Sequence, residues 1–119
     1  MAANTSRLAR RSFLDGVELF SGLTASQLDH LVEFSATRSL ATNDILCHKG
    51  DEAGQLYGVL NGRLKAVGAG ADGREVVFAI IGPGEVTGEI ALIDAQPRSA
   101  TIVAMEATEL FVLGRREFL

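Results

Sequence analysis

Apolar residues recur at helical spacing only near the start of the chain. In "LTASQLDHLVEF", Leu28, Leu31 and Val32 fall on one face of a helix, and Thr24 stands at an N-cap position with Gln27 three residues on. From Arg38 onward the pattern changes to short apolar runs: "RSLA", "ILCHK", "LYGVL", "RLKAVGA", "EVVFAII", "ATIVA" and "ELFVLG". Their lengths and the turn residues between them predict strands at sandwich spacing. The punctuation is glycine-rich, with Gly50-Asp51, Asn61-Gly62, Ala71-Asp72-Gly73 and Gly82-Pro83-Gly84, and each can form a turn that β-branched residues resist. Asn61-Gly62 and Asp72-Gly73, set between apolar runs, read as hairpin turns. No heptad and no repeat of about 20 to 50 residues overlies this pattern. The expected fold is an antiparallel sandwich or jelly roll with a helix at its start.

Composition changes this picture little. A chain of 119 residues with 47% hydrophobic content can bury one sizeable core and is too short for two ordinary domains. The formal charge is −4, and the positive residues form no stripe that would follow a phosphate backbone, so this chain alone is a poor nucleic-acid binder. The single cysteine, Cys47, excludes an internal disulfide and any multi-cysteine metal site within the chain, which fits a reducing cytoplasm. "RRSFL" at Arg10 to Leu14 resembles a twin-arginine export pattern, but Asp15 and Glu18 interrupt the uncharged run of about 7 to 15 residues that such a signal needs. "RREFL" repeats the spelling at Arg115 to Leu119. An export signal is therefore not expected, and no stretch reaches membrane-spanning length, so no membrane partner is expected.

The chemistry concentrates in "GEIALIDAQPRSATIVA", residues 88 to 104, where Glu89 and Arg98 stand nine positions apart. Gly88 permits close backbone approach, and Glu89, Ile90 and Ala91 can form one helical turn whose free N–H groups attract an anion. Arg98 adds a planar fork of donors suited to phosphate oxygens, and Ser99 a further hydroxyl. A phosphate repels Glu89 unless that carboxylate faces another part of the ligand, and a ribose hydroxyl is a suitable donor for it. A nucleotide satisfies the whole set.

With Gly50-Asp51, Gly62-Arg63, Gly82-Pro83-Gly84, Gly88-Glu89, Ala91-Leu92 and Pro97-Arg98-Ser99-Ala100-Thr101 in this order, the chain resembles the cyclic nucleotide-binding domain. The likeness runs from about Leu19 to Leu119. "LFSGLTASQLDHL" and "PRSATIVAMEATELFVLGRREFL" are similar to the sensor half of the catabolite-activator and fumarate–nitrate-regulator (Crp/Fnr) superfamily of transcription regulators. The resemblance implies a mainly β fold with flanking helices, a double-stranded β-helix or jelly roll. It divides the chain into a helical or flexible lead-in over 1–18 and a nucleotide-binding domain over 19–119. It makes residues 88 to 101 the phosphate-binding cassette: Gly88 and the backbone near Ile90 and Ala91 approach the ligand, Glu89 takes the ribose 2′-hydroxyl, and Arg98, Ser99 and Ala100 close around the cyclic phosphate. Ser99 favours cAMP, with cGMP as the other candidate, and no metal is implied. Thr87 departs from the family, in which an aromatic or aliphatic residue often precedes the Gly-Glu pair. The long dimerisation helix and the helix-turn-helix that follow in the family are expected to lie beyond Leu119, so a homodimer and DNA binding are expected only of a full-length parent.

Plainer readings compete. Glu89 and Arg98 could form a structural ion pair at the mouth of the sandwich, and the ordered motif around them favours the nucleotide instead. Relatives that keep the fold and lose the ligand leave a degenerate domain as an alternative. His30 and His48 read as solvated side chains, because a mononuclear metal site needs about three converging ligands. Cys47 reads as a small core residue on the same face as Ile45, and His48 points to the opposite face, so the two cannot share a haem iron. Two other function classes stay open: a regulatory domain of a channel or kinase, or a free-standing nucleotide binder, and a jelly-roll enzyme. The enzyme is disfavoured by the lack of clustered histidines and of a nucleophile beside a base.

Overall fold

The computed structural model of the chain describes residues 2–51, 54–87 and 100–118. Its elements are α1 (Ala2–Asp15), a 3-10 turn (Glu18–Phe20), α2 (Ala25–Phe34), eight strands and a final short helix α3 (Arg115–Phe118). The strands are β1 (Ala36–Leu40), β2 (Ile45–Cys47), β3 (Gln55–Asn61), β4 (Leu64–Ala69), β5 (Glu75–Ile81), β6 (Val86–Thr87), β7 (Thr101–Ala104) and β8 (Thr108–Gly114). They form two antiparallel four-stranded sheets, the first ordered β1-β8-β3-β6 and the second β2-β7-β4-β5. This is the mainly β, jelly-roll architecture the patterning predicts. All seven apolar runs form strands. β6, only two residues long, is too short to leave a periodic signal.

Two cores follow from the alternation of side chains along β8 and β3. Leu110 and Val112 face the sandwich interior, packed with Val59, Leu64, Ile81 and Ile102. Phe111 and Leu113 face the other way, against Phe13, Leu14, Phe20, Leu31 and Val32 of the helices. A strand buried on both faces must be apolar at every position, which explains the unbroken "LFVL" of β8. Phe13 stacks on Phe111 with ring centroids 5.2 Å apart. Gly58 makes that packing possible, because a Cβ at this position would fall inside the Phe13 ring.

Capping and ion pairs hold the two helices together. Thr24 and Gln27 form the expected capping box, with Gln27 N–H donating to Thr24 Oγ1 at 3.1 Å and Thr24 N–H to Gln27 Oε1 at 2.9 Å. The lead-in expected over 1–18 is helical through Asp15, and it contributes Phe13, Leu14 and Val17 to the helix-side core. Arg10 Nη1 donates to the Val32 and Ser35 carbonyls at 3.2 and 2.8 Å, closing the C-terminal end of α2. Arg11 binds Asp15 and, at 3.0 Å, Asp29, and these hydrogen bonds, Asp15 first, push its guanidinium pKa up. The arginine pair of "RRSFL" thus fastens α1 to α2.

Two local expectations need correction. Asp72-Gly73 does join a hairpin, β4 to β5, closed by Gly70 N–H to Arg74 carbonyl at 2.7 Å. Asn61-Gly62 does not, because β3 and β4 lie in different sheets and the chain crosses between them there. A sandwich needs such crossings, and their turn chemistry matches that of hairpins. Cys47 is buried as expected, but Ile45 is 46% exposed and Leu46 is buried. The register shifts between Ile45 and Cys47, and the irregularity breaks the strict alternation that would have put them on one face.

Candidate functional site

Gly88, Glu89, Ile90, Ala91, Arg98 and Ser99 lie outside the described residues. Ala100, the last member of the predicted set, is half-buried in the bend that leads into β7. The structure does describe the two roots from which the 88–100 segment springs, and it sets them in opposite sheets.

The first root is β6. Residues 82 to 85 form a turn in which Glu85 N–H donates to the Gly82 carbonyl at 3.1 Å and Gly82 N–H to Glu85 Oε1 at 2.7 Å. This turn carries the chain from β5 at the edge of the second sheet to the edge of the first. There Gly84 N–H donates to the Val59 carbonyl and Val59 N–H to the Glu85 carbonyl, both at 2.9 Å. Val86 then pairs with Gly58 and Thr87 with Tyr57. Thr87 is half-buried in this ladder, so its departure from the aromatic or aliphatic pattern is accommodated at a sheet edge.

The second root is β7, inside the second sheet between β2 and β4. Ile102 and Ala104 point into the core and Thr101 and Val103 are half-buried. Both ends of β7 are tied to the β2 side of the molecule. Ala104 exchanges bonds with the β1–β2 corner, accepting from Asn43 N–H at 2.8 Å and donating to the Asp44 carbonyl at 2.9 Å. At the other end Thr101 Oγ1 accepts a hydrogen bond from Lys49 N–H at 3.0 Å. Sequence reasoning placed Thr101 at the end of the cassette with no contact of its own, and no local signal points to this one, since its partner lies 52 positions away. A segment rooted this way has ends that cannot shift without breaking sheet pairing, which suits the placement of donors around a small anion.

The histidines lie outside any such arrangement. His30 is exposed on α2, its ring 4.7 Å from that of Phe34 and its Nε2 3.8 Å from Glu117 Oε2 of α3. His48 is exposed beyond the end of β2 while Cys47 is buried. Among the described residues no group of three or more His, Cys, Asp or Glu could hold a metal ion, and no helix is long and apolar enough to cross a membrane.

Fold, paired roots and motif together define a nucleotide-binding jelly roll. The family model of the cyclic nucleotide-binding domain matches residues 37–119, and the chain belongs to that family. It is 34% identical over 106 residues to the cyclic AMP receptor protein of Thermus thermophilus, a match covering 89% of this chain and 49% of the receptor. The chain thus spans about half the length of that relative. Among solved structures it resembles the regulatory domain of Toxoplasma gondii PKA bound to cAMP, at TM-score 0.88 and 30% identity over 94% of this chain and 42% of that one. It also resembles the N-terminal domain of a transcriptional regulator from Streptomyces coelicolor, at TM-score 0.77 and 37% identity over 83% of this chain and 69% of that one.

Proposed function

We propose that this chain is the cAMP-sensing module of a bacterial transcription regulator of the Crp/Fnr type and is itself no enzyme. The observation that carries this reading is the order of Gly88-Glu89 and Arg98-Ser99 within one segment that leaves β6 and returns as β7. In this assignment Arg98 and Ser99 hold the cyclic phosphate, and the backbone of Gly88, Ile90, Ala91 and Ala100 lines it. Glu89 accepts the ribose 2′-hydroxyl. A guanidinium supplies two parallel charge-assisted bonds to an anion, and a carboxylate without a hydroxyl partner would be left uncompensated beside it. The likeness to a cAMP receptor and to the N-terminal domain of a regulator supports the transcription role. In this reading DNA binding and homodimerisation are properties of a full-length cytoplasmic parent, and the charge of −4 gives this chain no basic stripe to follow a DNA backbone.

A second reading, a regulatory domain of a kinase or channel, draws on the likeness to the Toxoplasma kinase regulatory domain. Both readings share the ligand. Calorimetric titration with cAMP, cGMP, 2′-deoxy-cAMP and 5′-AMP tests it. The expected result is saturable cAMP binding, weaker binding of the 2′-deoxy analogue, and loss of that sugar preference in Glu89→Ala. Equal binding of cAMP and 2′-deoxy-cAMP by the unmodified chain would remove Glu89 from the ribose.

A further inference from the structure

A long-range side-chain bond, from Lys49 N–H to Thr101 Oγ1, ties down the returning root of the 88–100 segment. Its donor sits in a rigid turn. Asp51 N–H donates to the His48 carbonyl at 3.0 Å, and His48 N–H to Asp51 Oδ2 at 2.8 Å, so residues 48 to 51 are closed from both sides. Gly50, at φ 92°, occupies the third position of this turn, where left-handed backbone favours glycine. The Lys49 amide takes no part in closing the turn and is left to reach across to Thr101. The acceptor opens β7, paired with Val67 of β4, and stands three positions after Arg98 and two after Ser99.

We propose that Thr101 is a positioning residue for the nucleotide site. Its hydroxyl locks the returning root of the segment to the 48–51 turn and thereby fixes where the arginine and serine just before it can place their donors. This rests on the nucleotide reading above. A threonine at this position is not required by the strand, since valine has the same shape and a high strand preference. What valine lacks is the acceptor.

The test compares Thr101→Val, Thr101→Ser and Lys49→Pro with the unmodified chain by cAMP titration, thermal melting and amide hydrogen exchange. Thr101→Val deletes the acceptor; Lys49→Pro deletes the donor at a turn position that tolerates proline, with Lys49→Ala as control for the lost side chain. Expected are a roughly threefold to tenfold loss of cAMP affinity in Thr101→Val and Lys49→Pro, near-normal affinity in Thr101→Ser and Lys49→Ala, and an unchanged melting temperature in all. The Lys49 amide should exchange faster in Thr101→Val. Faster exchange or a lower melting temperature with unchanged cAMP affinity would make the bond merely structural and overturn the proposal. Failure of the unmodified chain to bind cAMP would overturn the nucleotide reading, and this proposal with it.

Discussion

The two sheets have the same number of strands and the same antiparallel pairing, yet they are buried very differently. In the first, β3 and β8 carry apolar side chains on both faces, one set inside the sandwich and one under the helices. In the second, no helix among the described residues is packed on the outer face, and β5 at its edge exposes Val76, Val77, Phe78 and Ile80, Phe78 to 62%. Burial on two faces concentrates hydrophobic stabilisation in the first sheet. The second sheet buries its inner face alone, through Leu46, Leu64, Ile81 and Ile102, and adds strand pairing and the corner and turn bonds to β7. The difference separates a sheet where mutations on either face should unfold the domain from one whose exposed edge residues can be altered with the fold intact.

Mutations should expose this asymmetry. The largest effect is expected for Phe111→Ala, which removes a fully buried ring stacked on Phe13 and should cost about 3–5 kcal/mol in denaturant unfolding. Gly58→Ala should cost about 1–3 kcal/mol by overpacking against Phe13. A smaller residue at position 13 should recover part of that loss, so that the pair is strongly non-additive in a double-mutant cycle. Thr24→Ala removes the α2 cap and should cost about 1 kcal/mol. Phe78→Ser, on the open edge of the second sheet, should change stability by less than about 0.5 kcal/mol. A Phe78→Ser penalty as large as that of Phe111→Ala would abolish the distinction between the sheets.

Much of this organisation was written locally in the chain. The capping box of α2 and all seven apolar runs were legible, because periodicity and cap chemistry depend on neighbours a few residues apart. The proposed cassette rests on chemistry alone, since Gly88-Glu89 and Arg98-Ser99 carry their donors and acceptors in their own side chains and backbone. What stayed hidden depends on distant partners. Asn61-Gly62 spells a hairpin and makes a sheet crossing, because β3 pairs with β8 while β4 pairs with β5 and β7. The role of α1 is hidden for the same reason. Arg10 and Arg11 look like a charge pair until α2 brings Val32, Ser35 and Asp29 to them. Thr101 reads as one more strand threonine until the turn at 48 to 51 arrives beside it.

The central claim, that the segment between β6 and β7 holds a cyclic nucleotide through its arginine, is tested most directly by titrating cAMP into the unmodified chain and into Arg98→Ala. Removing a charge-assisted bidentate contact should weaken binding by on the order of 1.5 to 3 kcal/mol or more, roughly tenfold to over a hundredfold. The melting temperature of the free domain should stay the same. Equal cAMP affinity in the two proteins would contradict the claim.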